Sequence, residues 1–386
     1  MSFVLVKCIA FPNTIPINFA SVLKNTSPSN LQLLTSARNE MSESLSGKYS
    51  DEQVTKQIEK YLPYLFGLQA AIKKGNVALN QPLIYQWSSF LTEGDHKYLH
   101  PQVAFEICMT LSAYSFALAN TGVGKLRDLI KDREFNIAPA QQQSEQYLES
   151  AKQCLDLFRR ATGVGMYVAE LANTIDRTKG NLPIECTGDG MKIWAQICTA
   201  HEQLVLSFIA REKKASSNLI ARILLGSSDL IHKASELIDK DLPTSGVAAS
   251  GASGVNYNHF FPVLRNLLQI IEIHYKVISY KYFAMHIAET QTIKFGDAVA
   301  IIMEAAKMND LCIEMNSKLR LSVEVSQALQ LVGQDVTKLK NKYTEDNSNI
   351  YMVRVPELNE QVLEQPAIRS TPVPFQQPTP IFDEII

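Results

Sequence analysis

Seven histidines and six cysteines are the residues with which this chain would bind a metal or attack a substrate. The histidines show no H-E-x-x-H spacing, and Pro101 disfavours a helical pairing of His96 with His100. The cysteines lie at least 12 residues apart without a C-x-x-C pair, which indicates neither a zinc site nor a disulfide scaffold. We therefore expect no metal site and buried free thiols.

Two glycine-containing segments invite a nucleotide-binding interpretation. In Asn120–Leu126, a Walker loop would need glycine where Ala119 stands and Ser or Thr where Leu126 stands. The segment Ser245–Gly254 follows no predicted strand and is typical of a flexible inter-helix loop. No Gly-x-Ser-x-Gly elbow occurs either. We expect no catalytic residues, no cofactor and a protein that is not an enzyme.

The helix predicted over Ser216–Asp229 carries a different kind of signal. Its apolar stripe is more than 100° wide and is interrupted by Arg222; the stripe comprises Leu219, Ile220, Ile223, Leu224 and Leu225. Such a helix either packs between two layers or leaves an apolar strip that binds an amphipathic partner helix. The pattern leaves both alternatives open.

The composition narrows the functional class. The chain has 386 residues, of which 46% are apolar and 20% charged, with a net charge of −2. Such a balance favours neither nucleic-acid binding nor an unfolded acidic chain. The uncharged apolar runs are shorter than a bilayer span, and the N-terminus lacks the features of a signal peptide. We expect a cytoplasmic protein.

The elements that must position these residues are mostly helical. Short strands are predicted over Ser2–Phe11 and, as a strand or hairpin arm, over Leu83–Leu91. A capping box, Ser50 with Gln53, starts an early helix that ends near Gly75. Further helices are predicted over residues 101–134, 141–175, 188–213, 215–239, 256–290, 294–315 and 317–343.

The lengths of these helices predict their arrangement. A helix of about 35 residues is about 50 Å long, which exceeds the width of a compact globule. We therefore expect a mostly α fold, an elongated curved α-solenoid with a small N-terminal β-sheet. The small residues around Gly296, among them Ala284, Ala298 and Ala305, loosely match a tetratricopeptide repeat, in which such residues let paired helices approach closely.

The C-terminal segment differs from the rest of the chain. Residues 351–386 contain six of the 16 prolines and neither glycine nor lysine. Proline at this density excludes helix. The segment nevertheless keeps many apolar residues, among them Val353, Leu358, Ile368 and Phe375. We expect it to lie as an extended strap along the helices.

Several segments resemble the BRO (Bro-one) domain family of Alix-, Brox- and rhophilin-like proteins. Family motifs are matched by Asn349–Leu358 followed by Ile368–Val373, by Phe158–Gly163 and by Leu219–Ile223, and Tyr61–Thr121 is similar to the small Brox-type members. The resemblance covers essentially the whole chain and implies one BRO domain over residues 1–386. It would comprise an N-terminal β/α part (1–100), a helical solenoid with a tetratricopeptide-like core (101–343) and a C-terminal strap (344–386).

The resemblance also implies a function. Family members bind the C-terminal amphipathic helix of Snf-type ESCRT-III subunits, which resemble charged multivesicular body protein 4, during endosomal sorting. The residues that match this contact are Leu206, where a relative has a larger aromatic, and Leu219, Arg222, Ile223 and Ile368, with Ala367 as the alternative to Ile368. Tyr351 matches a strap tyrosine implicated in phosphotyrosine recognition; a packed tyrosine is the alternative.

The resemblance also bears on membrane attachment and on an alternative function. The chain ends in Asp383–Ile386 with aspartate where a prenylated C-a-a-X box would have cysteine, so we expect no prenyl anchor. Endosomal membrane contact would then be indirect, through the partner, or peripheral, through a surface patch. The alternative function is a rhophilin-like or pH-response-like signalling scaffold that does not act through ESCRT-III.

Overall fold

The computed structural model describes residues 11–24, 27–89, 97–135, 140–241, 260–319, 321–358 and 365–381. The helices within these ranges are α1 Phe19–Val22, α2 Pro28–Ser44, α3 Asp51–Lys73, α4 Val103–Phe135, α5 Ala140–Leu171, α6 Gly188–Glu212, α7 Ser217–Asp241, α8 Phe260–Thr290, α9 Phe295–Leu319 and α10 Val323–Asp346. The strands are β1 Leu23–Lys24, β2 Ala78–Leu79, β3 Tyr85–Ser88 and β4 Lys97–His100.

The helices stack in chain order. From α2 to α10, each helix packs chiefly on the helices before and after it in the sequence. Apolar residues three or four apart on α8 form its buried face, since Leu268, Ile271, Tyr275 and Ile278 are at most 1% exposed. The predicted fold class, a mostly α solenoid with a small β part and an extended C-terminal strap, is confirmed.

Local signals in the sequence account for several helix ends. At the start of α3, the Ser50 hydroxyl accepts from the Gln53 N–H at 3.3 Å, and the Gln53 side chain accepts from the Ser50 N–H at 2.9 Å. Gly75, just after this helix, has a φ of 74°, which glycine adopts without steric cost. The predicted break between residues 315 and 317 is wrong: α9 continues to Leu319, and the Ser322 side chain caps α10.

The β elements form two separate antiparallel pairs among the described residues. Strand β1 pairs with β2, and β3 pairs with β4 so that Trp87 lies opposite Tyr98. The strand predicted over Leu83–Leu91 is confirmed at its centre as one arm of the β3–β4 pair. The strand predicted over Ser2–Phe11 lies outside the described residues except for Phe11, which is not in a strand.

Helix α4 contains a long apolar stretch with few charges. Its residues Val103–Ile130 are long and apolar enough to span a membrane by length and composition, which the sequence analysis did not single out. Of the 18 consecutive residues that are most apolar in this stretch, 94% are buried inside the fold. This is the burial expected of a core helix packed between α3 and α5.

A buried ion pair joins the first helices to the strands. The Arg38 Nε of α2 donates to the Glu106 carboxylate of α4 at 2.6 Å, and neither side chain is accessible to solvent. Trp87 Nε1 donates to the same carboxylate at 2.5 Å, and the Tyr61 hydroxyl donates at 3.2 Å. Burial, together with the Glu106 charge, raises the pKa of Tyr61 well above its usual value. A buried charge needs such partners, and this network ties α2, α3, α4 and β3 together.

Candidate functional site on the face that carries the strap

The C-terminal strap, residues 352–358 and 365–381, crosses the helices in reverse chain order. Its residue Arg354 lies on α9, at Gly296. The Ala367 N–H donates to the Arg222 carbonyl on α7 at 2.9 Å, and the Val373 N–H donates to the Arg159 carbonyl on α5 at 3.2 Å. Near its end, the Ile381 N–H donates to the carbonyl of Pro63 on α3 at 3.3 Å. The strap therefore joins helices from α3 to α9 on one face.

Glycines lie where the strap backbone touches the helices. A Cβ built on Gly296 would lie 2.2 Å from the Arg354 carbonyl oxygen, and one built on Gly226 would lie 2.9 Å from that of Ala367. Both distances are too short for a real Cβ contact. Gly296, which the sequence analysis took as a helix-pairing residue, thus faces the strap backbone. At these crossings the missing side chain makes room for the strap rather than for a second helix.

On α6, a buried carboxylate holds the middle of the strap. The Glu202 side chain, which is fully buried, accepts from the Ser370 hydroxyl at 2.6 Å and from the Thr371 N–H at 3.3 Å. Arg159 Nε of α5 donates to Glu202 at 2.9 Å. The neighbouring Gln203 side chain accepts from the Arg369 N–H at 3.2 Å. These bonds fix the register of the strap, because each is specific to one backbone or hydroxyl group.

The predicted cation Arg222 is one of the strap contacts. Its Nε donates to the Gln365 carbonyl at 2.8 Å while its own carbonyl accepts from Ala367. Ile368, the next residue after Ala367, has 42% of its surface exposed, and its side chain lies close to Gly226. The structure thus brings Arg222 and Ile368 to the same place through the docking of the strap on α7. Their predicted contact with a partner stays a prediction.

The predicted leucines lie beside the strap. Leu206 is one helical turn from the strap-binding residues Glu202 and Gln203 on α6, and Leu219 is one turn from Arg222 on α7, so each shares the face that its helix presents to the strap. Residues of α6 after Leu206 line a small pocket with residues of α7 after Leu219, so these segments are neighbours. Both leucines are half-buried.

Ile223 differs from the two leucines. It lies on the same helical face as Leu219 and Gly226 by its spacing, but only 4% of its surface is exposed. A side chain this buried offers almost no surface to a partner. The surface that remains consists of the half-buried Leu206 and Leu219 and the exposed Ile368; we call these three residues the leucine surface.

Positive charge lies at one end of the leucine surface. The turn between α6 and α7 carries the exposed Lys213 and Lys214, and Lys214 adopts a φ of 54°. Arg211 of the last turn of α6 lies over the Phe208 ring, 5.1 Å from its centroid. An apolar surface bordered by cations complements an amphipathic helix whose polar face carries acidic residues.

A family model for the BRO1-like domain matches residues 11–386. The chain belongs to this family. A comparison with curated protein sequences gave no match.

Solved structures of BRO1 domains have the same fold. A structure described as an ALIX BRO1 CHMP4C complex superposes with a TM-score of 0.67 at 14% identity, covering 100% of this chain and 98% of the other. One described as showing the structural basis for endosomal targeting by the Bro1 domain gives 0.65 at 16% identity, with 96% and 93% covered. ALIX in complex with a SIVmac239 late-domain peptide gives 0.66 at 15% identity, and the chain spans 50% of that protein.

Tyr351 of this BRO1-like domain lies at the start of the strap. It ends a short π-helical turn after α10, and its ring stacks on Phe295 of α9 at 4.0 Å between centroids. Both the amide and the carbonyl oxygen of the Asn347 side chain bond to the Val353 backbone nearby. The half-buried ring agrees with the packed alternative. Phosphotyrosine recognition at Tyr351 stays a prediction.

No sequence pattern marks the residues that hold the strap of this BRO1-like domain. Glu202 and Gln203 lie inside an ordinary helix, and their partners are more than 160 residues away in the chain. The signal that could have found one crossing is Gly226, a glycine inside a strongly amphipathic helix. Within the described residues, no group of three or more His, Cys, Asp or Glu side chains is arranged to hold a metal, and the described cysteines are buried and free.

Proposed function

We propose that this BRO1-like domain is a non-enzymatic endosomal-sorting adaptor. Its partner would be an ESCRT-III subunit of the Snf or charged multivesicular body protein 4 type, whose C-terminal amphipathic helix would bind the leucine surface. The observation that carries the proposal is the position of Leu206 and Leu219, half-buried on the strap-bearing face of α6 and α7. The family, and a structural neighbour described as a complex with CHMP4C, support it.

The energetics favour a contact of modest affinity. Complete burial of a leucine or isoleucine side chain is worth about 1.5 to 3 kcal/mol, and two of the three side chains are already half-buried. The leucine surface would therefore supply about 3 kcal/mol in all, before the cost of ordering the peptide is subtracted. The lysines beside it would mainly raise the association rate and fix the direction of the helix.

The strap has a supporting part in this proposal. The residue before Ile368 is hydrogen-bonded to α7, and the residue after it is hydrogen-bonded to α6. These two bonds hold the Ile368 side chain at the edge of the leucine surface. The strap also joins α3 to α9, which supports our proposal that the chain forms one BRO1-like domain. Recruitment to endosomes would follow from binding the partner, since the proposal requires no lipid contact.

Isothermal titration with a synthetic C-terminal helix of an Snf-type subunit tests the proposal. We expect saturable one-to-one binding by the wild-type chain and at least a tenfold loss of affinity for Leu206→Asp and Leu219→Asp. Leu33→Asp is the matched control, because Leu33 is 51% exposed on α2, a helix that packs chiefly on α1 and α3 and not on α6 or α7. Unchanged affinity of both folded leucine variants would refute the assignment of this surface.

A further inference from the structure

The sequence contains three Ser-Pro or Thr-Pro pairs, and two of them lie in the strap. The pairs are Ser27–Pro28, Thr371–Pro372 and Thr379–Pro380. The first belongs to a helix start, because Ser27 is the N-cap of α2 and Pro28 is its first residue. Both strap threonines are exposed and lie outside helices. A hydroxyl that precedes proline in an exposed, extended segment is the kind of group that proline-directed protein kinases phosphorylate.

Alternate residues of the strap bind the helices on both sides of Thr371. Four N–H groups donate to α5, α6 or α7 at 2.9 to 3.3 Å, those of Ala367, Arg369, Thr371 and Val373. This spacing of two residues is that of an extended chain. The bond of Thr371 to another described residue is made by its backbone N–H and not by its hydroxyl. A substituent on the hydroxyl oxygen therefore replaces no bond of the docked strap.

The charge on which Thr371 docks is negative and buried. The Glu202 carboxylate, which accepts the Thr371 N–H, is inaccessible to solvent. Its described cationic partner is Arg159, which donates at 2.9 Å and has 28% of its side chain exposed. Arg369, two residues before Thr371, bonds to α6 through its N–H and has an exposed side chain. The docked strap thus places Thr371 beside a carboxylate whose charge is balanced by one arginine.

A phosphate on Thr371 would upset this balance. It carries a charge of about −1.5 to −2 at pH 7, on the same residue whose N–H bonds to Glu202. Salt screens the repulsion between exposed charges, but it screens a buried carboxylate much less. The phosphate also competes for Arg159, because arginine pairs with phosphate as it does with a carboxylate. Glu202 would then be a buried charge without its counter-ion, and undocking of the strap relieves this by admitting water to the carboxylate.

We propose that Thr371 is phosphorylated by a proline-directed serine/threonine kinase and that the phosphate undocks the middle of the strap from α5, α6 and α7. The Thr371 oxygen attacks the γ-phosphorus of ATP, the bond from that phosphorus to the β,γ-bridging oxygen breaks, ADP leaves, and the hydroxyl proton passes to the catalytic aspartate of the kinase. The kinase binds the strap while it is transiently undocked, and Pro372 keeps Thr371 extended in that state. The site is independent of the partner of the leucine surface.

Incubation of the full chain with a purified mitogen-activated protein kinase and magnesium ATP tests the site. We expect mass spectrometry to find phosphate on Thr371, at a rate at least tenfold lower in the Pro372→Ala variant. Gly163→Ala, which pushes the strap away from α5, should be modified several times faster than the wild-type chain. No phosphate on Thr371, or a rate that Pro372→Ala leaves unchanged, would overturn the assignment. An equal rate in Gly163→Ala would contradict access through the undocked strap.

Amide hydrogen exchange of the phosphorylated chain tests the undocking. Relative to free peptides of the same sequence, we expect exchange across residues 367–373 to become at least tenfold faster, with exchange in α8 unchanged. In a Glu202→Gln chain the phosphate should accelerate exchange less than threefold, because the carboxylate that repels it is gone. Thr371→Val, which keeps the shape without the charge, is the matched control and should exchange like the wild type. Unchanged exchange on phosphorylation, or equal acceleration in the Glu202→Gln chain, would overturn the proposal.

Discussion

Gly163 of α5 lies directly against the carbonyl group of Val373 in the strap. A Cβ built on Gly163 would lie 1.8 Å from the Val373 oxygen, far inside any allowed contact. The same segment of strap is bonded to α5 through the Val373 N–H and the Arg159 carbonyl. Helix and strap backbones meet here without intervening side chains, and this contact makes position 163 specific for glycine.

The substitution Gly163→Ala should therefore destabilise the protein although alanine is the better helix former. The strap must shift to admit the methyl group, and we expect the free energy of unfolding to fall by about 1 to 3 kcal/mol. Chemical denaturation measures this change, and faster proteolysis within residues 365–381 would locate it.

Gly124→Ala is the control for this prediction. Gly124 lies inside α4, and a Cβ built on it meets nothing within 4 Å. Alanine should raise the free energy of unfolding there by about 0.5 to 1 kcal/mol. If both substitutions raised the free energy of unfolding, this result would contradict the contact between Gly163 and the Val373 carbonyl.

Removing the charge of Glu202 should loosen the middle of the strap. Glu202→Gln replaces one of the two oxygens that accept from Arg159, Ser370 and Thr371 by a donor. We expect the free energy of unfolding to fall by about 2 kcal/mol, and by about 1 kcal/mol for Ser370→Ala. In a double-mutant cycle the two effects should couple by at least about 0.5 kcal/mol, and strictly additive effects would argue against the bond between them.

The buried His201 makes stability depend on pH. Burial lowers the pKa of His201 to about 4, whereas an unfolded histidine titrates near 6.5. As the pH is lowered, the histidine of the unfolded chain is therefore protonated before that of the folded chain. The contribution of neutral His201 to the free energy of unfolding is complete above about pH 6.5 and is lost as the pH falls from there through 4. The loss attributable to this residue is about 3 kcal/mol.

His201→Gln should flatten the dependence of the unfolding free energy on pH between 6.5 and 4. Urea titrations at several pH values measure it, with His286→Gln on α8 as the control for loss of a histidine as such. A slope in the His201→Gln variant equal to that of the wild-type chain would contradict the prediction.

Leu219 and Ile223 should respond differently to aspartate although they belong to one apolar stripe. Leu219→Asp changes a half-buried side chain and should remove peptide binding while the circular dichroism spectrum and melting temperature change little. Ile223→Asp buries a carboxylate at a position that is 4% exposed and should lower the free energy of unfolding by about 3 kcal/mol or more. Thermal unfolding of both variants checks this, and equal melting temperatures would show that Ile223 is not buried in solution.

Short-range patterns in the sequence predicted most of the elements. The seven helices expected after residue 101 all occur, because apolar periodicity, capping residues and breakers are properties of neighbouring residues. For these seven helices the errors are confined to the helix ends, such as the one at Leu319. The extended strap was predictable for the same reason, since proline removes the N–H that a helix needs.

The site was predictable only in part. The sequence by itself determined that α7 would carry an apolar stripe, and the family resemblance implied Arg222 and Ile368 as members of one partner contact. Only the tertiary structure decided that Arg222 binds the Gln365 carbonyl, 143 residues away, that Ile223 is buried, and that Glu202 holds the strap. The physical reason is that these bonds join positions that no local period connects, so the stacking of α5, α6 and α7 has to create the surface before the strap can bind to it.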